Sequence, residues 1–582
     1  MRNACAALVV ALGVWLAPGG ASAQETPPPS PPVSANDGTL IYNFGQHPLV
    51  VVAEGTLQVT SENSTVSPRS GYMPMQVALR NSGKEAETVR LEFTYRGTSS
   101  ATIRRVVEVP AASRKVVTIP IPAGATYGVL EASAKGIKEG GTESLYFTQA
   151  QQAILALGTE EQFQDVARCA PDYNSYATYV RAIPPGEAPT ELAAYVGFNE
   201  VVLLTPPEEL DAAACRAIEA YAATGGTVFV TRPSRALPSY FPLLKDAAPG
   251  LYPYGFGNVR VCSEEPLACA LALNTDLTLA QKIVKPVAAS TYVNRYAYGS
   301  AGNAIPEKER FLLPQATAPV GRFLLIILAF TLAIGPGSVW VARRRGPPML
   351  LLTIPATAFV TCLLIVGYSV LVDGFAIHAA TRGYTLLDGK NKRAITVGME
   401  AFYANIAPGE ASWDVLAAII GPQVDYNSDQ IPSIDWTRGA TFDTDFIPSR
   451  TYREWGVVSV APTRARLLVK RLGDGSIEVQ NALGSDITVA RVNVDQVDYF
   501  VRDVRDGGSR RAEPVAPGAA VQDASLQEFN SRFDSRVGLR IREPLREGEF
   551  LAQLEGPALL PVGGLRLSHH SSAHLVRGEV ER

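Results

Sequence analysis

Two long apolar runs dominate the hydrophobic pattern of this 582-residue chain. They occupy 323–341 and 349–372, and neither contains Asp, Glu, Lys or Arg. A helix of about 20 apolar residues crosses the ~30 Å hydrocarbon core of a bilayer. The pattern therefore predicts transmembrane helices at 322–342 and 349–372, joined by a turn at 343–348. A buried helical hairpin in a large soluble core is the alternative interpretation.

The turn between the two runs carries three adjacent arginines, Arg343, Arg344 and Arg345. Short loops rich in Lys and Arg stay on the cytoplasmic side of a membrane. The arginines therefore favour the membrane-spanning interpretation and place the turn in the cytoplasm. Everything before and after the hairpin is then expected on the opposite side of the membrane.

Alternating apolar and polar residues indicate β-strands in the first part of the chain. Residues 75–80 and 89–95 alternate in this way, and further strand-like runs follow at 105–109 and 115–119. Several short strands at this spacing are typical of a β-sandwich. We predict an immunoglobulin-like β-sandwich over 38–148, without the cysteine pair that many such domains contain.

The pattern changes to alternating strands and helices at 149–300. An apolar run at 200–204 predicts a buried strand, and Asp211 is placed to begin a helix that Gly225 and Gly226 end before the strand at 227–231. Strand, helix and strand in succession predict a parallel sheet. We therefore expect an α/β domain here, followed by a linker at 301–321.

The region after the hairpin, 373–582, is again rich in strand signals. Runs at 464–470, 476–481 and 486–492 alternate between apolar and polar residues. The pattern predicts one or two β-sandwiches.

The first residues resemble a secretion signal. One positive charge, a short apolar run and Ala-Ser-Ala predict a signal peptide at 1–23, and a proline-rich linker follows at 24–37. The net charge of -4 gives no basic face for nucleic acid. Both features agree with export of the flanking domains.

The cysteines are few and cluster before the hairpin. Four of the six lie in the predicted exported part: Cys169, Cys215, Cys262 and Cys269. An even number in an oxidising compartment indicates disulfides. Cys262 and Cys269 flank a short polar loop, so we predict a bond between them.

The segments ACRAIEAYAATGGTVFVT and TELAAYVGFNEVVLL resemble the class I glutamine amidotransferase-like fold. That family places a nucleophilic Cys in a sharp turn after a strand, with a His and a Glu downstream. Here Thr205-Pro206-Pro207 follows the strand, Cys215 lies within the next helix, and no His occurs between His47 and His378. The resemblance therefore implies a degenerate domain without catalytic residues or a cofactor.

Two short segments have weak metal-ligand spacing. The tail holds three histidines, of which His570 and His574 would share one face of a strand and could bind zinc or copper. A polar strand near the C-terminus is the alternative, and we predict no metal. The segment at 425–430 begins like a calcium loop but has Gln430 where that loop requires Gly, so an Asx-rich turn is expected.

The hairpin segment AIGPGSVWVARRRGPPMLLLTIPATAF and the tail segment SIEVQNALGSDITVARVNV resemble a family of uncharacterised bacterial envelope proteins. The resemblance implies a multidomain protein of the bacterial cytoplasmic membrane, with its N- and C-terminal domains on the periplasmic side. We expect a non-enzymatic protein whose exported domains bind partners or a ligand, as an accessory part of a transport or envelope-maintenance assembly. Its expected contacts are membrane lipid and other envelope or membrane proteins. An exported hydrolase or amidotransferase-like enzyme is the alternative.

Overall fold

The computed structural model of the chain consists mainly of β-strands, with a helical hairpin between two strand-rich regions. The described residues are 49–52, 57–62, 66–67, 70–97, 100–123, 125–134, 142–146, 148–149, 152–159, 161–162, 178–246, 248–262, 278–283, 312–313, 320–368, 377–420, 433–443, 446–515, 533, 535–556 and 558–582. The predicted signal peptide and proline-rich linker lie outside the described residues.

Ten strands make up the region before the α/β part. They are β1 (Leu49–Val52), β2 (Leu57–Glu62), β3 (Val66–Ser67), β4 (Tyr72–Asn81), β5 (Glu87–Gly97), β6 (Ser100–Val109), β7 (Ser113–Pro122), β8 (Ala125–Ala134), β9 (Thr142–Tyr146) and β10 (Thr148–Gln149). One antiparallel sheet has the order β1-β2-β4-β7, and a second contains β6-β5-β8-β9. The predicted alternation is present, because Met75, Val77 and Leu79 on β4 and Leu91 and Phe93 on β5 are all fully buried.

The α/β region forms one six-stranded sheet. Its elements are β11 (Gln152–Leu157), β12 (Thr178–Ile183), β13 (Glu200–Leu203), α1 (Ala212–Thr224), β14 (Thr227–Val230), α2 (Leu237–Tyr240), β15 (Gly250–Tyr254), β16 (Gly257–Val261) and α3 (Leu279–Ile283). The strand order is β12-β11-β13-β14-β16-β15, and only the pairing of β15 with β16 is antiparallel. The predicted parallel sheet is therefore present, with an antiparallel strand at one edge.

Helix α1 begins and ends at the residues that the sequence indicates. The Asp211 side chain accepts a hydrogen bond of 2.6 Å from the Ala213 N–H, which satisfies one free donor of the first turn. At the other end Gly225 adopts φ 130°, a conformation that side chains disfavour, and its N–H bonds to the carbonyl of Ala222. The helix thus occupies Ala212–Thr224, between the two residues that mark its ends.

The helical hairpin consists of α4 (Val320–Leu332), a π-helical turn at Ala333–Gly337, α5 (Ser338–Arg345), a 3₁₀ turn at Pro347–Met349 and α6 (Leu350–Tyr368). It contains two helices long and apolar enough to cross a membrane, Leu324–Arg345 and Pro347–Gly367, with mean hydropathies of 2.2 and 2.4. These spans are only 6% and 0% buried, which contradicts the alternative of a hairpin inside a soluble core. The three arginines continue the first helix, because arginine favours helix, and the turn comes at Gly346 with φ 93°.

Among the described residues after the hairpin, fourteen strands and one short helix are present. They are β17 (Ile377–Asp388), β18 (Arg393–Ala404), β19 (Ala411–Trp413), β20 (Ala417–Ile420), β21 (Ser433–Asp435), β22 (Ala440–Phe442), β23 (Tyr452–Pro462), β24 (Arg466–Arg471), β25 (Ile477–Ala482), β26 (Asp486–Val494), β27 (Val497–Val504), β28 (Ser509–Pro514), α7 (Ser535–Arg542), β29 (Glu549–Glu555) and β30 (Leu567–Glu579). Eleven of the strands form one long sheet, β20-β23-β18-β17-β30-β29-β26-β27-β28-β25-β24.

The last strands fold around a hydrophobic core of their own. Buried side chains from β24 to β30 form this cluster, among them Leu467, Ile477, Val492 and Phe550. The end of the chain closes it, because Glu581 exchanges two backbone hydrogen bonds with Leu467 and Val469 on β24. The strand-rich region predicted after the hairpin is thus present in the described residues, and its last strands share one core.

Strands from before and after the hairpin share one sheet, which the sequence pattern did not predict. The seven-stranded sheet has the order β19-β22-β21-β6-β5-β8-β9, so three strands from 411–442 extend the first sandwich. Strand β21 pairs in parallel with β6, with Ser433 opposite Thr102. The backbone N–H of Trp436 donates a further hydrogen bond of 2.8 Å to the backbone carbonyl of Arg104.

One hydrophobic core also joins the regions on both sides of the hairpin. A single cluster of buried side chains contains residues of the first sandwich, the α/β sheet and strands β17 to β23. Tyr72 of β4 lies edge-to-face on Trp436, with ring centroids 5.7 Å apart. Apart from the hairpin itself, the two strand-rich regions therefore bury apolar surface against each other.

A buried ion pair joins α1 to the sheet that follows the hairpin. Arg393 of β18 donates to Glu219 of α1 at 2.8 Å and to Asp388 at 2.9 Å. Tyr254 donates to the other Glu219 oxygen at 2.5 Å. Glu219 and Arg393 side chains are 6% and 13% exposed, so solvent screens their attraction little. The Glu219 charge and burial together raise the pKa of the Tyr254 hydroxyl.

We predict that Glu219→Ala lowers the free energy of unfolding by about 3–5 kcal/mol, because it removes one of the two carboxylates that pair with the buried Arg393 and also the acceptor of the buried Tyr254 hydroxyl. Thermal and urea unfolding of the full chain in detergent measures the loss. Glu581→Ala is the matched control, since it breaks the exposed pair with Arg466 and should cost less than about 1 kcal/mol. Equal effects of the two substitutions would contradict a structural role for the buried pair.

Candidate functional site

The carboxyl ends of β11 and β13 are where a sheet of this order would bind a ligand. The chain leaves β11 towards β12 on one side, and β13 lies on the other side, so the crevice between the two ends is a topological switch point. At this place Gly158 follows β11, and Leu204 and Thr205 follow β13.

Side chains of the chain itself fill this crevice. A Cβ added to Gly158 would lie 2.5 Å from Leu204 Cβ and 2.8 Å from Gln162 Oε1. The Gln162 oxygen accepts a hydrogen bond of 3.0 Å from the Thr159 N–H and so is held in place. The described part of the switch point is therefore packed against itself rather than open to a ligand.

The polar groups at these strand ends pair locally. Thr205 donates to Glu209, and Ser234 donates to Glu208. Both bonds link hydroxyls to carboxylates within the loops that follow β13 and β14. Without a histidine between His47 and His378, no Ser-His or Cys-His pair can form within this domain.

Cys215 lies in α1 with its thiol buried. The thiol donates to the carbonyl of Pro207 at 3.3 Å. Burial and the nearby carboxylates of Asp211 and Glu208 raise the pKa of the thiol to about 11. A nucleophilic cysteine requires the thiolate near neutral pH, so this cysteine has the environment of an inert core residue.

Cys262 follows β16 and forms a disulfide. The cysteine to which it is bonded lies outside the described residues. Cys169 and Cys269 both lie outside them as well. Cys215 and Cys362 are free. The Cys262–Cys269 pairing therefore stays a prediction.

The tail histidines lie on β30, beside β17. The register between the two strands shifts between Ala379 and Ala380, opposite His570, which interrupts the regular alternation expected for an extended strand. His574 is fully buried, and its Nε2 lies 2.7 Å from the Thr385 hydroxyl. Burial lowers the pKa of His574 to about 3.

Among the described residues no group of three potential ligands surrounds a metal position, and the His570 side chain lies outside the described part of the chain. The loop at 425–430 also lies outside it.

A buried carboxyl on β18, Glu400, is the most perturbed acid in the described structure. It is 0% exposed, and burial raises its pKa to about 8. Trp455 of β23 donates to one oxygen at 3.0 Å, while the other oxygen has no hydrogen-bond partner in the described part of the chain. Trp455 in turn stacks on Phe402, with ring centroids 4.4 Å apart. Glu400 thus satisfies the indole N–H within an aromatic core, which is a structural role.

We predict that Glu400→Gln stabilises the protein near pH 8 and changes its pH dependence. The folded-state pKa is raised from 4.5 to about 8, so the stabilisation from keeping this carboxyl protonated is full below about pH 4.5 and is lost as pH rises to 8. The neutral amide keeps an acceptor for Trp455 and removes that loss, which is on the order of a few kcal/mol.

Urea unfolding at pH 5 and pH 8 measures this effect as the difference between variant and wild type. The control is Glu555→Gln, because Glu555 is exposed on β29. A gain from Glu400→Gln that is the same at both pH values would contradict a buried, proton-holding carboxyl.

The basic turn of the hairpin presents its charges to solvent. Arg343, Arg344 and Arg345 are exposed at the C-terminal end of α5, where the helix dipole favours cations. The Arg344 guanidinium lies 4.1 Å from the Trp340 ring centre. A tryptophan and arginines at one end of an apolar helix are typical of a membrane–water interface.

Sequence patterns missed the buried charges. Glu400 stands in the apolar strand Arg393–Ala404 and Glu219 in the alanine-rich helix α1. A single charged residue within an otherwise apolar element is the signal that could have marked both, because such a group is buried only with a partner or in neutral form.

Comparisons with known proteins give no family. No family model and no curated protein matches the chain. A Paenibacillus cycloisomaltooligosaccharide glucanotransferase is 15% identical, with a TM-score of 0.12, over 24% of this chain and 20% of that one. A Bacteroides uniformis β-glucuronidase is 12% identical, with a TM-score of 0.13, over 30% and 22%. The yeast δ-COP-I μ-homology domain is 9% identical, with a TM-score of 0.16, over 35% and 96%.

This chain spans about a fifth of the length of the two enzymes that it matches. At these TM-scores the likenesses carry no argument about fold or function.

Proposed function

We propose that the chain is a non-enzymatic membrane-anchored protein of the bacterial envelope, whose domains outside the cytoplasm bind other envelope or membrane proteins. The hairpin anchors the protein in the cytoplasmic membrane with Arg343, Arg344 and Arg345 inside. The first sandwich is immunoglobulin-like in this proposal, and the α/β sheet is a degenerate amidotransferase-like domain. The whole chain belongs to the family of envelope proteins that its hairpin and tail resemble.

The main support for the proposed membrane topology is the sheet that contains both β6 and β21. These strands lie on opposite sides of the hairpin in the sequence, and they are hydrogen-bonded in one sheet. A sheet cannot continue through a bilayer that separates its strands. Folding of the two regions on the same side of the membrane accommodates this pairing, and two crossings of the membrane allow it while one crossing does not.

The filled switch point supports the non-enzymatic part of the proposal. Leu204 and Gln162 occupy the described crevice, and Cys215 has a raised thiol pKa and no histidine in its domain. An amidotransferase-like enzyme needs an accessible thiolate and a base at that place. Without catalytic features, the domain has its packing surface as its main functional feature. This favours a role in assembly and partner binding.

Cysteine accessibility tests the topology in intact bacterial spheroplasts. Lys84→Cys and Lys390→Cys place exposed thiols before and after the hairpin, and Arg344→Cys is the matched variant in the turn. A membrane-impermeant maleimide should label the first two in intact spheroplasts and the third only after permeabilisation. Labelling of Lys84→Cys and Lys390→Cys from opposite sides would contradict the proposal.

A further inference from the structure

A cleft of about 270 Å³ opens where three segments after the hairpin meet. The turn between β17 and β18, the connection from β23 to β24 and the end of the chain line it. Its charged lining residues are Asp388, Lys392, Arg393, Arg464, Arg466 and Glu581. The cleft lies away from the strand ends of the α/β sheet, so it is separate from the site described above.

The cations of this cleft outnumber its carboxylates, and the carboxylates are already paired. Asp388 accepts from Arg393 at 2.9 Å, and Glu581 lies 3.2 Å from Arg466. The side chains of Lys392 and Arg464 make no ion pair or hydrogen bond within the described residues. Two positive charges of the lining are thus left without a counter-charge.

The backbone holds these two cations next to each other. The Thr463 N–H donates to the carbonyl of Lys392 at 2.8 Å, which fixes the residue before Arg464 against the turn. The Thr463 hydroxyl accepts from the Ala465 N–H at 3.1 Å and braces the connection. Lys392 itself has φ 51°, a conformation in which glycine or asparagine would be less strained. The turn therefore places the Lys392 charge beside that of Arg464 at the edge of the cleft.

Arg393, a third cation of the lining, is already held by carboxylates. Its Nε and Nη1 atoms bond to Asp388 and Glu219, and its Nη2 atom is closed off from solvent. The charges that a ligand in the cleft can reach are therefore those of Lys392 and Arg464. Anionic oxygens between these two side chains would relieve the repulsion between them.

We propose that this cleft binds a small molecule with two or more anionic groups, such as phosphates or carboxylates. The volume accommodates a small molecule rather than a folded partner. Arginine pairs with two oxygens of one carboxylate or phosphate, and lysine contributes a point charge. A second anionic group is required because Lys392 and Arg464 each lack a counter-ion.

Strand β17 separates the cleft from the hairpin along the chain. The chain leaves α6 before β17 and reaches the cleft at the far end of that 12-residue strand, which spans roughly 40 Å at about 3.4 Å per residue. A soluble anion, rather than a headgroup of the anchoring membrane, is the occupant that we infer.

Titration of the full chain in detergent with pyrophosphate and with citrate, at constant ionic strength, tests the proposal. Calorimetry should give saturable binding of at least one of these probes. Lys392→Gln and Arg464→Gln should each weaken it about tenfold or more, because each removes a charge-assisted contact. Lys392→Arg keeps the charge and should retain binding.

Lys470→Gln is the matched control, since this exposed lysine lies on β24 outside the cleft and undergoes the same change of charge. It should bind the probe as wild type does. Unfolding temperatures without anion, equal to that of wild type, establish that the variants fold. The proposal is overturned if neither probe binds saturably, or if Lys392→Gln and Arg464→Gln bind as tightly as Lys470→Gln.

Discussion

The pairing of β21 with β6 is the constraint on which the rest of the structure depends. It joins residues more than three hundred positions apart in the chain, since Ser433 lies opposite Thr102. The helical hairpin lies between these residues in the sequence, so the chain segments at its two ends must both lead back to the same folded unit. The common hydrophobic core, with Tyr72 packed on Trp436, reinforces the same arrangement. Long-range pairing of this kind is costly in chain entropy and persists because it buries apolar surface.

The joining of the two β-regions also explains the structural role of the α/β sheet. Its crevice between β11 and β13 is filled by Leu204 and Gln162, while α1 directs Glu219 towards Arg393 of the neighbouring sheet. The domain therefore acts as a packing layer between two β-regions. Functional sites need open, convergent polar groups, and in the described structure the cleft beside Lys392 and Arg464 has more of that character than the switch point.

Local elements could be predicted from the sequence because their signals are local. Asp211 and Gly225 mark the ends of α1, and alternation marks Met75, Val77 and Leu79 on β4. The pairing of Ser433 with Thr102 has no local signal, because any two half-buried strands show the same period of two. Lys392 and Arg464 likewise look like ordinary surface cations in the sequence. The pairing of β18 with β23, which sets Arg393 opposite Pro462, and the hydrogen bond from Thr463 to Lys392 bring them to one cleft.

A disulfide between two introduced cysteines tests the central claim, that the regions flanking the hairpin form one body. Thr102→Cys combined with Ser433→Cys places thiols on directly paired residues, at a spacing that a disulfide can bridge. Thr102→Cys with Lys470→Cys is the control, because Lys470 lies on β24, in another sheet. Mild oxidation of native membranes followed by peptide mass mapping should give the 102–433 link and no 102–470 link. Free thiols at 102 and 433, in protein whose Cys262 disulfide is intact, would contradict the account.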